Sequence, residues 1–113
     1  MTSSPFLQVL YPKNVLDADQ GKVLYRQVMD LLDAGVSLIL IDCQYLEFVD
    51  SSGLGVLVRI LKVVEQDGSR LALCSLNESF QMLLKMTRME DVFEIYASQV
   101  HFNLVLEQSL KKK

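Results

Sequence analysis

The sequence predicts an α/β domain: a small, mainly parallel or mixed sheet of four to five strands with about four helices packed against it. Three observations carry that expectation. Val36 to Ile41 is almost wholly apolar, the mark of a strand buried on both faces of a parallel sheet. From that strand onward, segments with helical spacing alternate with short apolar runs. At 113 residues, 50% of them hydrophobic, the chain is sized for one core and one domain. Residues 6–110 are assigned to that domain, residues 1–5 to a disordered N-terminus, and residues 111–113 to a basic tail without a binding role.

Taken in order, Phe6 to Tyr11 is rich in strand formers and stops at Pro12, which cannot donate to a ladder. A short peripheral strand is expected. Asn14 to Asp19 holds turn and cap residues, after which Leu24, Val28, Leu31 and Leu32 recur with helical spacing. That helix should close at Gly35, in the C′ position, and lead into the central strand ending on Asp42. From Ser52 to about Gln66 the pattern is helical again, with Arg59, Lys62 and Gln66 forming a narrow polar stripe. Such a helix is largely buried.

Asp67-Gly68 closes it, Arg70 to Ser75 reads as a strand, and Asn77 caps a helix through Phe80, Leu83 and Leu84. Met82, Met86 and Met89 recur at helical spacing; the stripe is read as core, the other reading being an adaptable contact surface. Val92 to Tyr96 reads as a short strand. Ser98 then caps a last helix running toward Leu110, with Val100, Leu104 and Val105 facing inward.

Composition narrows the function classes. With 11 basic against 14 acidic residues the net charge is −3, which supplies no broad attraction to nucleic acid or to an anionic membrane. No stretch holds the ~18 uninterrupted apolar residues of a membrane span, and Met1-Thr2-Ser3-Ser4-Pro5 has neither a basic nor an apolar leader region. Cys43 and Cys74 have no metal or redox spacing, so both are expected to be free thiols in a reducing cytoplasm. No metal or cofactor site is expected. The lone histidine, His101, lacks partners for a metal site and is expected at or near a helix surface.

The most informative stretch is Phe48-Val49-Asp50-Ser51-Ser52-Gly53-Leu54-Gly55, where a compact polar knot opens a long apolar helix. Asp50, Ser51 and Ser52 are all preferred N-cap types, so one reading is a plain strand-to-helix turn. The other starts from the same geometry: the first amides of a helix are unpaired and its dipole adds positive charge, so a phosphate there meets waiting donors. Gly53 and Gly55 strip side chains from the backbone beside the hydroxyls, which should leave room for a kinase active site. A serine hydrolase would also place a serine at such a turn, but the G-x-S-x-G elbow is absent and no histidine lies nearby in the sequence. Catalysis is therefore not expected.

Asp50-Ser51-Ser52-Gly53-Leu54-Gly55, with an apolar strand ending on Asp42 before it and a Val/Leu/Ile helix and Gly68 after it, resembles the STAS domain family. More narrowly, it resembles the bacterial anti-sigma-factor antagonists. Leu16-Asp17 resembles the pair ahead of the family's first helix, and Phe80 to Glu94 its third helix and following turn; the likeness runs from about Leu7 to Leu110. Two positions depart from the pattern. Asn14 stands where the family usually has glycine, and Pro12 interrupts what is often a two-stranded hairpin.

The resemblance implies partner switching rather than an enzyme. The unmodified antagonist binds an anti-sigma factor that is also a serine/threonine kinase, the kinase phosphorylates and thereby releases it, and a metal-dependent serine phosphatase resets the cycle. Carried over by position, the phosphoacceptor is Ser52, and Asp17, Asp50, Ser51, Ser52, Gly53, Leu54 and Gly55 form the partner-binding set. A monomer or weak homodimer is expected, with no cofactor and no nucleic-acid or membrane contact. The alternative within the same family is a scaffold in a larger signalling assembly that does not control a sigma factor.

Overall fold

The computed structural model describes residues 7–111, so the assignments for residues 1–5, Phe6 and the last two lysines of the tail lie outside the described residues. In chain order the elements are β1 (Leu7–Leu10), β2 (Asn14–Leu16), α1 (Ala18–Asp33), β3 (Leu38–Asp42), β4 (Leu46–Val49), α2 (Ser51–Gln66), β5 (Arg70–Cys74), α3 (Glu78–Met86), β6 (Glu94–Tyr96) and α4 (Gln99–Lys111). Local chemistry accounts for most of their ends. Asp17, Asp50 and Asn77 each accept a hydrogen bond from the backbone N–H three residues on, the geometry of an N-cap. Gly35 and Gly68 adopt φ of 88° and 79° just past α1 and α2, left-handed values that glycine takes without steric penalty.

Four parallel strands form the main sheet in the order β1-β3-β5-β6. β3 is central, and all five of its residues are buried, as its apolar run predicts. One face of the sheet carries α1, α2 and α3, whose Leu24, Val28, Leu57, Ile60, Phe80 and Leu84 pack on Ile39, Ile41, Leu71 and Leu73. The other face is covered by α4, where Phe102 packs on Leu38, Leu40, Ala72 and Cys74.

The remaining two strands, β2 and β4, pair in parallel as a separate small sheet. Neither was anticipated as a strand. The buried carboxylate of Asp42 makes the turn that separates β3 from β4: it accepts from the Gln44 N–H at 3.1 Å and from Gln44 Nε2 at 2.9 Å. β4, not β3, therefore hands the chain to α2. Asn14, in the position where glycine was expected, holds φ of 63°, a left-handed value that asparagine tolerates. β1 is the edge of the main sheet and pairs with β3 alone, so no N-terminal hairpin forms with β2 among the described residues.

Two expectations of facing are overturned. In α4, Val100 and Leu104 are 68% and 55% exposed, whereas Phe102 is 1% exposed and Leu106 packs beside it. The helix is apolar on several sides, and the T-shaped contact of Phe102 with Tyr96, at 5.0 Å between ring centroids, selects the buried one. In α3, Met82 and Met86 are 55% and 75% exposed because Phe80 and Leu84 take the core-facing stripe; only Met89, past the helix end, packs on the core. The methionine stripe is surface.

Candidate functional site

The site is built where the small sheet delivers two helices side by side. The register pairs Leu16 with Val49, so Asp17 and Asp50 are the next residues on adjacent parallel strands, and each caps the helix that follows. Asp17 Oδ1 accepts from the Gln20 N–H at 2.9 Å, and Asp50 Oδ1 from the Gly53 N–H at 2.8 Å. The two carboxylates are thus pinned to their own helices. The Asp50 N–H donates to the Leu16 carbonyl at 3.2 Å, tying the start of α2 to β2.

Ser51 and Ser52 form the exposed first turn of α2. A helix start leaves its first N–H groups without intrahelical acceptors. Here those of Asp50 and Gly53 are taken by Leu16 and by the cap, which leaves the amides of Ser51 and Ser52 open beside their own hydroxyls. Both serines are exposed.

The expected partner set divides by burial. Ser51, Ser52 and Gly55 are exposed, Asp17 and Asp50 are half-buried, and Gly53 and Leu54 are buried. Leu54, 3% exposed, packs in the core, so little of its side chain is open at the surface. Gly53 does not make room for a kinase: a Cβ there would drive into the Leu16 carbonyl, so glycine is what lets α2 lie against β2. Gly55 alone faces open space. The apolar rim comes instead from residues that sequence reading did not assign. Val15 and Phe48, paired across the small sheet that ends at Asp17 and Asp50, are 40% and 52% exposed. Their signal was a pairing between segments far apart in the chain.

No group of three or more His, Cys, Asp or Glu side chains among the described residues is arranged to hold a metal ion. No described helix is long and apolar enough to cross a membrane. His101 is exposed on α4 and stacks edge-on to Tyr96 at 5.6 Å, remote in the fold from Ser52. Cys43 and Cys74 are free and buried on opposite faces of the sheet. Burial pushes both thiols above the ordinary range, which disfavours the reactive thiolate at either position.

The model of the STAS domain family matches residues 7–101. The chain belongs to the STAS domain family. The anti-sigma-B factor antagonist of Bacillus subtilis is 32% identical over 82 residues, which cover 73% of this chain and 74% of that one. Among solved structures, TM1081 of Thermotoga maritima superposes with a TM-score of 0.77 at 28% identity, covering 90% of this chain and 86% of that one. The STAS domain of a SulP transporter from Vibrio cholerae shares the fold, with a TM-score of 0.76 over 99% of this chain and 89% of that domain, at 11% identity. The same fold thus also occurs within a transporter. Leu16-Asp17 and Asp50 to Gly55, the residues that carried the resemblance, all lie within the matched span and gather at one end of the small sheet.

Proposed function

We propose that this protein is an anti-sigma-factor antagonist switched by phosphorylation of Ser52. Unmodified, it binds an anti-sigma factor that is a serine/threonine kinase; phosphorylated, it is released, and a metal-dependent serine phosphatase returns it to the binding state. The observation that carries this reading is the exposed Ser51-Ser52 turn, with two open amides and with the carboxylates of Asp17 and Asp50 committed to capping their helices. It has the properties of a kinase substrate rather than an active site. The antagonist named among the relatives supports the class of partner, and the motif position supports Ser52 over Ser51.

Magnitudes decide where the phosphate acts. A phosphoserine adds about −1.5 to −2 charges, and a helix start stabilises such a charge by ~0.3–1 kcal/mol where it is exposed. Asp50 already occupies the cap of α2, so the added anion gains little within the domain. In an interface centred on Ser52, by contrast, the same charge must be desolvated beside Asp50 and the exposed apolar residues Val15 and Phe48 of the small sheet, and each ~1.4 kcal/mol is tenfold in affinity. Modification releases the partner and leaves the fold intact.

The test is incubation with candidate anti-sigma kinases and Mg-ATP, phosphosite mapping, and a pull-down of the same kinase with variants. Ser52→Ala should bind and accept no phosphate, and Ser52→Glu should bind at least tenfold more weakly. Equal affinity of all variants, or phosphate mapped elsewhere, overturns the reading. Partner capture with Ser52 never modified would instead assign the chain to a scaffolding role.

A further inference from the structure

Four exposed basic side chains line one side of the α1–α2 layer. Gly21 of α1 abuts Val56 of α2, and the Arg59 guanidinium lies 5.2 Å from the centre of the Tyr25 ring, so the two helices run alongside each other. That alignment brings Lys22 and Arg26 beside Arg59 around an open cleft of about 330 Å³, which Tyr25, Met29 and Val56 also line. Lys62, one turn past Arg59, extends the row, and all four cations are exposed. The one ion pair among the described residues is Arg70–Glu94, at 2.8 Å, so none of the four is held in an ion pair, although Asp19, Asp30 and Glu65 stand three or four residues from Lys22, Arg26 and Lys62 on the same helices. In a chain of net charge −3 this is a local concentration against the overall sign.

The row is continuous with the phosphorylation site. Ser52, Gly55, Arg59 and Lys62 follow one another along the exposed stripe of α2, and at 1.5 Å per residue Arg59 lies about 10 Å along the axis from Ser52. Asp17 and Asp50 mark the acidic end of the same surface. A charge row spread over two helices is longer than a single phosphate group and matches an extended anionic chain. Complementary charges of this kind steer and orient encounter more than they hold the complex.

We infer that Lys22, Arg26, Arg59 and Lys62 dock an acidic segment of the protein partner that engages Ser52. This rests on the antagonist reading for the partner's identity, while the groove itself is tested without that partner. A synthetic ten-residue peptide of alternating Glu and Asp is titrated into the ¹⁵N-labelled protein at low salt and followed by NMR. Saturable shifts should centre on Lys22, Tyr25, Arg26, Arg59 and Lys62, weaken as salt is raised, and be lost in the folded double variant Arg26→Glu, Lys62→Glu. Shifts centred on Lys85 and Arg88, an undiminished response in the double variant, or tighter saturation of the same residues by ATP overturns the assignment.

The same double variant is then mixed with the kinase that phosphorylates Ser52. Its association rate should fall about tenfold at low salt, with the difference closing at high salt. An unchanged rate also overturns the inference. If no kinase modifies Ser52, the antagonist reading fails, and the peptide titration still decides the groove.

Discussion

Gly53 and Gly55 stand two residues apart in the motif and are held there by different demands. A side chain at Gly53 would meet the Leu16 backbone oxygen, which is itself fixed by the Asp50 N–H. Replacing Gly53 by Ala should therefore push α2 off the small sheet and destabilise the fold by about 1–3 kcal/mol, as overpacking of a tight contact does. Gly55→Ala meets open space in a helix and should stabilise it by about 0.5–1 kcal/mol. Urea denaturation of the two variants checks both signs, and matching effects would show that the Leu16 contact does not discriminate between them. Asp50→Ala should cost about 1 kcal/mol through the lost cap, with Asp50→Asn retaining most of it. The motif, its hydroxyls and its cap were legible in the sequence because they are local. The demand on Gly53 was not, because it comes from a strand on the far side of α1.

Among the elements, those with a single apolar face were readable and those apolar on several sides were not. The spacing of Leu24, Val28 and Leu32 fixes the buried stripe of α1, and the run through Ile41 fixes β3. In α4, Val100, Phe102, Leu104, Val105 and Leu106 offer competing stripes, and only packing on Tyr96 and Leu40 decides among them. The decision has an energetic consequence. Phe102→Ala should cost about 3–5 kcal/mol, the usual loss for a large buried aromatic, while Val100→Ser and Leu104→Ser stay within about 0.5 kcal/mol. Thermal unfolding that ranked Val100 above Phe102 would return α4 to the facing that periodicity suggested. The same competition misplaced Met82 and Met86. β2 and β4 escaped notice for another reason: at three and four residues they are too short for a periodic signal, and their pairing depends on the Asp42 turn.

At the scale of the whole molecule the fold is three layers, with helices α1 to α3, the main sheet and then α4, and a thiol lies on each face of the sheet. Cys43 and Cys74 are 2% and 0% exposed and adjoin each other through the Cys43 N–H to Cys74 carbonyl bond at 2.9 Å. Burial raises both thiols, and the neighbouring Asp42 carboxylate adds to the effect, so the native state holds both protons above the pH at which an unfolded thiol releases its own, about 8.5. The sign follows from linkage. Below about pH 8.5 both states are protonated and stability does not respond to these groups. Above it the unfolded chain binds fewer protons than the native one, so stability falls as pH rises, by up to about 1.4 kcal/mol per pH unit for each thiol. Between about pH 8.5 and 9.5, below the midpoints of tyrosine and lysine, urea midpoints should drop steadily, and a Cys43→Ala, Cys74→Ala double variant should show a much flatter profile. A wild-type profile as flat as the variant's would mean that the native state releases these protons as readily as the unfolded chain, and would overturn the assignment of raised thiols to burial on the two faces of the sheet.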